Sequence, residues 1–154
     1  MADTITMAMS TIVANLDPQY TGGQSAGIFN RLAFDTLTIP DKDGKVVPWL
    51  ATSWKTVDPT TWEFALRSDV AFADGTAFDA SVVKRNVDRM IGPGGVVSAT
   101  GMYFLGIAGA DVVSPTVVRI RTKQPDPIMP NRMGILYMAH PRSSAGNPAS
   151  RSCE

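Results

Sequence analysis

The sequence predicts a mixed α+β fold, mostly antiparallel β-sheet with two main helices. Three observations point to it. Trp62, Phe64 and Leu66 alternate with Thr61, Glu63, Ala65 and Arg67, the period of a half-buried strand. Val83, Val87 and Met90 recur at helical spacing behind Asp79, a residue type suited to a helix N-cap. Asp43-Gly44 and Asp74-Gly75, with 11 Pro and 13 Gly in 154 residues, cut the chain into short elements joined by tight turns.

The elements follow in order. Thr4 to Met9 places Ile5, Met7 and Met9 on one face and reads as a first strand, stopped at Asp17-Pro18, where proline removes a backbone donor. Ser25 to Leu37 reads as the first helix, with Ile28, Leu32 and Ala33 as its apolar stripe and Phe29 and Leu37 beside it. Asp41-Lys42-Asp43-Gly44 is expected to reverse the chain between Leu37–Ile39 and Lys45–Val47; the remaining ligand positions of a calcium loop are missing. Asp58-Pro59 turns into the Trp62–Leu66 strand. The second helix is expected over Ala80 to Ile91, with Val82 and Asn86 alongside its stripe, ended by Gly92-Pro93-Gly94-Gly95. Asp111–Val113 and Thr116–Arg121, joined by Ser114-Pro115, predict a final hairpin.

Composition bounds what the protein can be. A chain of this length with 44% hydrophobic residues suffices for one ordinary domain. Fourteen basic residues balance fourteen acidic ones, so no global field draws it to nucleic acid or an anionic membrane. Twelve of those acids are Asp, a bias toward turns and caps. The lone Cys153 forms no internal disulfide, and no apolar run of about 18 residues or leader with a basic start is visible.

The residues that could carry chemistry read more simply as structure. Lys84, Arg85 and Arg89 have no interleaved aromatics and fit a solvated helix face. His140 is the only histidine, which leaves little for a histidine-based metal site or nucleophile pair. Asp74 and Asp79 suit a turn and a cap better than a general acid/base pair. Gly92–Gly95 follows a helix rather than opening one, so it is no phosphate loop. Trp49, Trp54 and Trp62 suit core and hairpin packing. No enzyme and no cofactor are expected.

The ordered set Leu16-Asp17-Pro18, Asp35-Thr36-Leu37, Asp41–Gly44, Pro48-Trp49-Leu50-Ala51-Thr52-Ser53-Trp54, Trp62–Arg67, Val70–Thr76 and Val82–Arg89 resembles the extracytoplasmic solute-binding proteins of family 5. Val113–Val117 and Lys123-Gln124-Pro125-Asp126-Pro127 continue the resemblance, which spans about residues 4 to 130. These are the dipeptide, oligopeptide, glutathione and nickel receptors of ABC importers. The resemblance implies a periplasmic-binding-protein type II-like clamp, of which this chain is a truncated first lobe. Residues 1–40 would be its incomplete first strand and helix, 41–138 its β-rich extra subdomain, and 139–154 an unstructured tail foreign to the family pattern.

In such a clamp the ligand-facing residues would be Thr11, Ile12, Val13, Ala14 and Asn15, with Met102, Tyr103 and Phe104 from the extra subdomain. Tyr103 is the favoured aromatic, a core position being the other reading of it. The implied partners are a small peptide or peptide-like solute and the permease subunits of the membrane, at a periplasmic or cell-surface location. Ile5, Met7, Met9 and Phe29 would be left exposed, allowing self-association. A non-transport interaction module built on the β-rich subdomain is the alternative reading.

Overall fold

The computed structural model describes residues 17–19, 24–93, 98 and 100–142. The expected strand over Thr4 to Met9 lies outside them. Helix α1 spans Gln24–Ala33. Strands β1 (Thr38–Pro40) and β2 (Val46–Pro48) form a two-stranded antiparallel ribbon. Strands β3 (Ala51–Asp58), β4 (Thr61–Leu66), β5 (Ile107–Ser114) and β6 (Val117–Thr122) form an antiparallel sheet in the order β3-β4-β6-β5. Helix α2 (Ala80–Ile91), a 3-10 turn over Gly101–Phe104 and a short helix α3 (Met129–Met133) complete it.

The turn chemistry works as expected. Gly44 adopts φ 80° and Gly75 φ 85°, the left-handed region in which a β-carbon is strained. The Asp41 carboxylate accepts from the backbone N–H groups of Asp43 and Lys45, both at 2.9 Å, closing the β1–β2 reversal. Asp79 caps α2 by accepting from the N–H groups of Ser81 at 2.9 Å and Val82 at 3.1 Å. Two of the four donors that an α-helix leaves open at its start are thereby satisfied.

The core sits between α2 and the sheet. Phe64 on β4, Val118 and Ile120 on β6, and Val83 and Val87 on α2 are all fully buried. Met90, Phe104, Ile107 and Ala110 join them. The outer face of the same strands carries charge in register: Lys55 and Arg119 flank Glu63 at 3.0 and 2.9 Å, and Arg121 reaches Asp111. This alternation of an apolar inner face and an ion-paired outer one is what β4 announces in sequence.

Three elements differ from expectation. Helix α1 stops at Ala33 rather than Leu37; the Phe34 N–H closes it on the Asn30 carbonyl, and the Thr36 and Leu37 carbonyls beyond accept from Leu50 and Ala51. Its expected stripe is also turned outward. Ile28 and Leu32 are 50% and 69% exposed while Asn30 is buried, its amide donating toward the Pro18 carbonyl. Strand β5 begins four residues earlier than Asp111, where Ile107, Gly109 and Ala110 pair with Thr122, Arg121 and Ile120 of β6. Helix α3 is short, contains Pro130 in its first turn, and buries Met129 and Met133.

Asp79→Ala removes the cap acceptor and is expected to lower the unfolding free energy by about 1 kcal/mol, read from urea midpoints, with Asp79→Ser restoring most of the loss. Equal midpoints for parent and Asp79→Ala would show that the cap does not hold α2.

Candidate ligand-binding face

The segment Asp17–Gln19 belongs to no helix or strand, so side chains must fix it. Arg89, in the last turn of α2, forms a bidentate ion pair with Asp17 and donates to Gln19 Oε1 at 3.2 Å. Both charged side chains are about 15% exposed. Gln19 is almost fully buried; its Nε2 donates to Asn86 Oδ1 at 2.5 Å and to the Tyr137 carbonyl at 3.3 Å. Asn86 also accepts from the N–H of Ala139 at 2.9 Å and donates to the carbonyls of Ala139 and Val82 at 3.0 and 2.9 Å. Arg89 is therefore not part of a solvated basic face. One turn of α2 brings it beside Asn86 on the flank of the buried stripe, and it is spent on Asp17. Lys84 keeps the expected exposed role, paired with Asp88 at 2.7 Å.

The hydroxyl of Thr100 donates to the Gln19 carbonyl at 2.7 Å. This bond joins the 17–19 segment to the 3-10 turn that carries three of the sequence-predicted ligand residues. Met102 is 63% and Tyr103 49% exposed, whereas Phe104 is buried against the core. Phe104 thus leaves the candidate set: a 3-10 turn places successive side chains roughly 120° apart, and this one faces inward. Tyr103 is held from behind, its carbonyl accepting from Arg132 Nη1 at 2.6 Å while Arg132 Nε binds Asp126 at 2.6 Å. Thr11, Ile12, Val13, Ala14 and Asn15 lie outside the described residues.

Two hollows adjoin at Phe34 and Asp35. One, of about 250 Å³, is lined by Leu50, Phe72, Phe78, Met138 and His140 among others. The second, of about 240 Å³, is bounded by Arg31, Trp49, Gly134 and Tyr137. Trp49 is 45% exposed and donates its indole N–H to Asp35 at 2.6 Å, so it seals a surface hollow rather than the core. Trp62 is half-buried and donates to the Asp126 carbonyl.

His140 was expected to open an unstructured tail. Instead Ala139 is buried, and the His140 ring stacks edge-on against Phe72 at 4.9 Å. Its Nδ1 accepts the N–H of Arg142 at 3.0 Å, which leaves Nε2 facing Asp74 and Thr76 at 3.2 to 3.3 Å. A catalytic relay needs the base to take a hydroxyl proton on one nitrogen and hold a carboxylate on the other. Here Thr76 and Asp74 share one nitrogen and a backbone amide occupies the other. Among the described residues no group of three or more His, Cys, Asp or Glu is placed to hold a metal ion. No described helix is long and apolar enough to cross a membrane.

The family described as bacterial extracellular solute-binding proteins, family 5 Middle, matches residues 45–151. The chain belongs to that family. The match runs well past His140, so the part of the chain expected to be foreign to the family lies largely within it. The glutathione-binding protein GsiB of Escherichia coli K12 is 29% identical over 150 residues, covering 97% of this chain and 28% of the relative. The nickel-binding periplasmic protein of the same strain is 40% identical over 86 residues, 54% of this chain and 16% of that protein. Among solved structures, the murein tripeptide binding protein MppA of Escherichia coli superposes with a TM-score of 0.78 at 24% identity, covering 90% of this chain and 31% of that one. This likeness gives the family 5 chain its fold: part of a periplasmic-binding-protein type II-like architecture. The chain spans about 28% of the length of the GsiB relatives it matches.

Gln19, Asn86 and Arg89 join distant segments in a way the sequence reading does not anticipate: it places Asn86 beside the α2 stripe and Arg89 on a solvated face, and leaves Gln19 unassigned. Asn86 beside the Val83/Val87 stripe, three residues before Arg89, was the available signal.

Asp74 carries a checkable electrostatic consequence. The backbone N–H of Thr76 first, its hydroxyl next, and then His140 hold the Asp74 carboxyl down to about 2. A carboxyl whose folded value lies below its ordinary value of about 3.9 stabilises the fold above that ordinary value, and the contribution fades as pH falls toward 2. Carbon-13 NMR is expected to show an Asp74 midpoint near 2, and Asp74→Asn to flatten the acid-side loss of stability below about pH 4. A midpoint at the ordinary value would remove the turn bonds from the account.

Proposed function

We propose that this chain supplies part of the first lobe of the substrate-binding component of an ABC importer, taking peptides, glutathione or similar small solutes. The supporting observation is the Thr100–Gln19 bond. It sets the turn bearing exposed Met102 and Tyr103 against Asp17–Gln19, the segment that follows the candidate contacts Thr11–Asn15 in sequence. On this reading Tyr103 and Met102 offer the solute an apolar wall, and Thr11–Asn15 offer backbone and side-chain polar groups.

Glutathione, nickel and murein tripeptide are what the relatives and the structural neighbour are named for. The peptide-like solutes among them fit a wall built of Tyr, Met and backbone better than a bare nickel ion, for which imidazole is a favoured donor and none is among the candidate contacts. Partnership with membrane permease subunits and a periplasmic or cell-surface setting follow from family membership. Residues 1–40 and 41–138 then correspond to the lobe proper and its extra subdomain, with Ala139–Arg142 fastened to the latter. On this reading the chain forms part of a receptor that holds its solute rather than converting it.

A clamp encloses its solute from two sides. Removing one wall forfeits roughly 200 Å² of apolar contact, on the order of 5 kcal/mol at about 25 cal/mol per Å², or more than three decades in affinity. Calorimetry of residues 1–154 alone with mixed di- and tripeptides or with glutathione is expected to show no micromolar binding. A micromolar isotherm would mean that this stretch is a complete binder. Reading the coding DNA past Glu154 tests the receptor assignment directly: a continuation encoding a second lobe, with permease genes alongside, is the expected result. A non-transport neighbourhood with no such continuation would sink it.

Ile28 and Leu32, exposed on α1, suit burial against further polypeptide. Expressed by itself, the chain should self-associate as its concentration rises, measured by light scattering, and Ile28→Ser with Leu32→Ser should reverse this. A monomer at all concentrations would count against the unpaired face.

A further inference from the structure

We infer that Arg89 and Asn86 of α2 are positioning residues for the ligand-binding face, holding Asp17–Gln19 and the Gly101–Phe104 turn in register with each other. The inference rests on the proposed receptor reading for its meaning, but its geometry stands apart from any ligand. Asp17–Gln19 has no sheet or helix ladder of its own, so its place in the fold is set by the bonds its side chains make to α2 and by those that Asn30 and Thr100 make to its carbonyls.

Arginine is the residue type this task needs. Its planar fork engages both oxygens of Asp17 while one nitrogen still reaches Gln19 Oε1. A lysine ammonium could meet the charge but not the two directions at once. Asn86 has no slack either. Its oxygen accepts from Gln19 and from the Ala139 amide, and its nitrogen donates to Val82 and Ala139. Displacing Gln19 therefore takes one of its two donors from the buried Asn86 oxygen, a loss that a low-dielectric interior penalises.

The register is passed on by Thr100. Its hydroxyl binds the carbonyl of the same Gln19 whose side chain Arg89 and Asn86 grip. From there the chain enters the turn that exposes Met102 and Tyr103. Because the apolar stripe of α2 is locked into the core by Val83, Val87 and Met90, the polar flank of the same helix sets where Asp17–Gln19 and, through Thr100, the Gly101–Phe104 turn stand. The 17–19 segment is also tied to Tyr137 through Gln19 Nε2, so the irregular chain beyond α3 shares the frame.

Hydrogen exchange followed by mass spectrometry on the 154-residue chain tests the inference without a ligand. In Arg89→Met, amides of peptides covering Asp17–Gln19 and Gly101–Phe104 are expected to exchange at least tenfold faster, while β4 and β6 stay within twofold of the parent. Arg89→Lys should fall between the two. Thr100→Val should loosen the turn with an unchanged melting temperature, a result that a merely stabilising contact would not give, and it carries the test should Arg89→Met fail to fold. Uniform acceleration of all four segments, or no change in the first two, would overturn the inference. Neither outcome bears on whether peptides bind, which calorimetry decides.

Discussion

The seating of α2 on the sheet is the contact from which the rest of the structure takes its position. Val83, Val87 and Met90 share one buried cluster with Phe64, Val118 and Ile120, residues drawn from the two central strands. Burying side chains of this size is worth roughly 1.5–3 kcal/mol each, far more than any exposed ion pair on the outer face of the sheet. With the helix thus fixed in rotation, its other edges acquire definite tasks. One flank, Asn86 and Arg89, holds irregular chain on either side; the outer face keeps Lys84 and Asp88 in water. The helix is the interpreter between a core that is ordinary and a surface that is specialised.

Much of this was legible in the sequence because the cues were local. The Asp41–Gly44 reversal needs only four residues and a positive φ at Gly44, both readable one position at a time. The same holds for Asp79 as N-cap and for the alternation of β4, whose inner and outer faces differ in every residue. What escaped reading depends on distant partners. That Thr36 and Leu37 pair with Leu50 and Ala51 in place of extending α1 is a tertiary fact with no local sign. Ile107–Ala110 is too rich in small residues to show a strand period, and its place is set by pairing with β6.

The site was half legible for the same reason. Family resemblance located the Met102–Phe104 turn, and only the fold could sort its three side chains into two outward and one inward. Arg89 looked like one of three basic residues on a helix face because charge alone does not reveal that Asp17, seventy-two residues earlier in the chain, waits at its end. Replacing a buried pair of this kind with apolar residues often costs little in stability. Such a pair is better understood as giving direction than strength, since a hydrophobic substitute would tolerate many placements of Asp17–Gln19 where the guanidinium fork tolerates one.

Direction is what a solute receptor requires of its walls. A binding face can discriminate among small solutes only if its groups hold their positions to a fraction of a hydrogen-bond length before the solute arrives. An irregular segment achieves this poorly by backbone contacts, and a 3-10 turn of four residues has few internal bonds to resist rotation. Both are short here, and both are tied to longer-range partners: Thr100 to Gln19, the Tyr103 carbonyl to Arg132, and Arg132 in turn to Asp126. The turn is thus braced from two sides, by the segment it must face and by the loop behind it. Two braces on a four-residue turn fix its rotation about the chain, and that rotation decides which side chains look outward. With Phe104 driven into the core, Met102 and Tyr103 have no other side to occupy. The exposure of two apolar side chains on a turn held this firmly follows from the same geometry that buries the third.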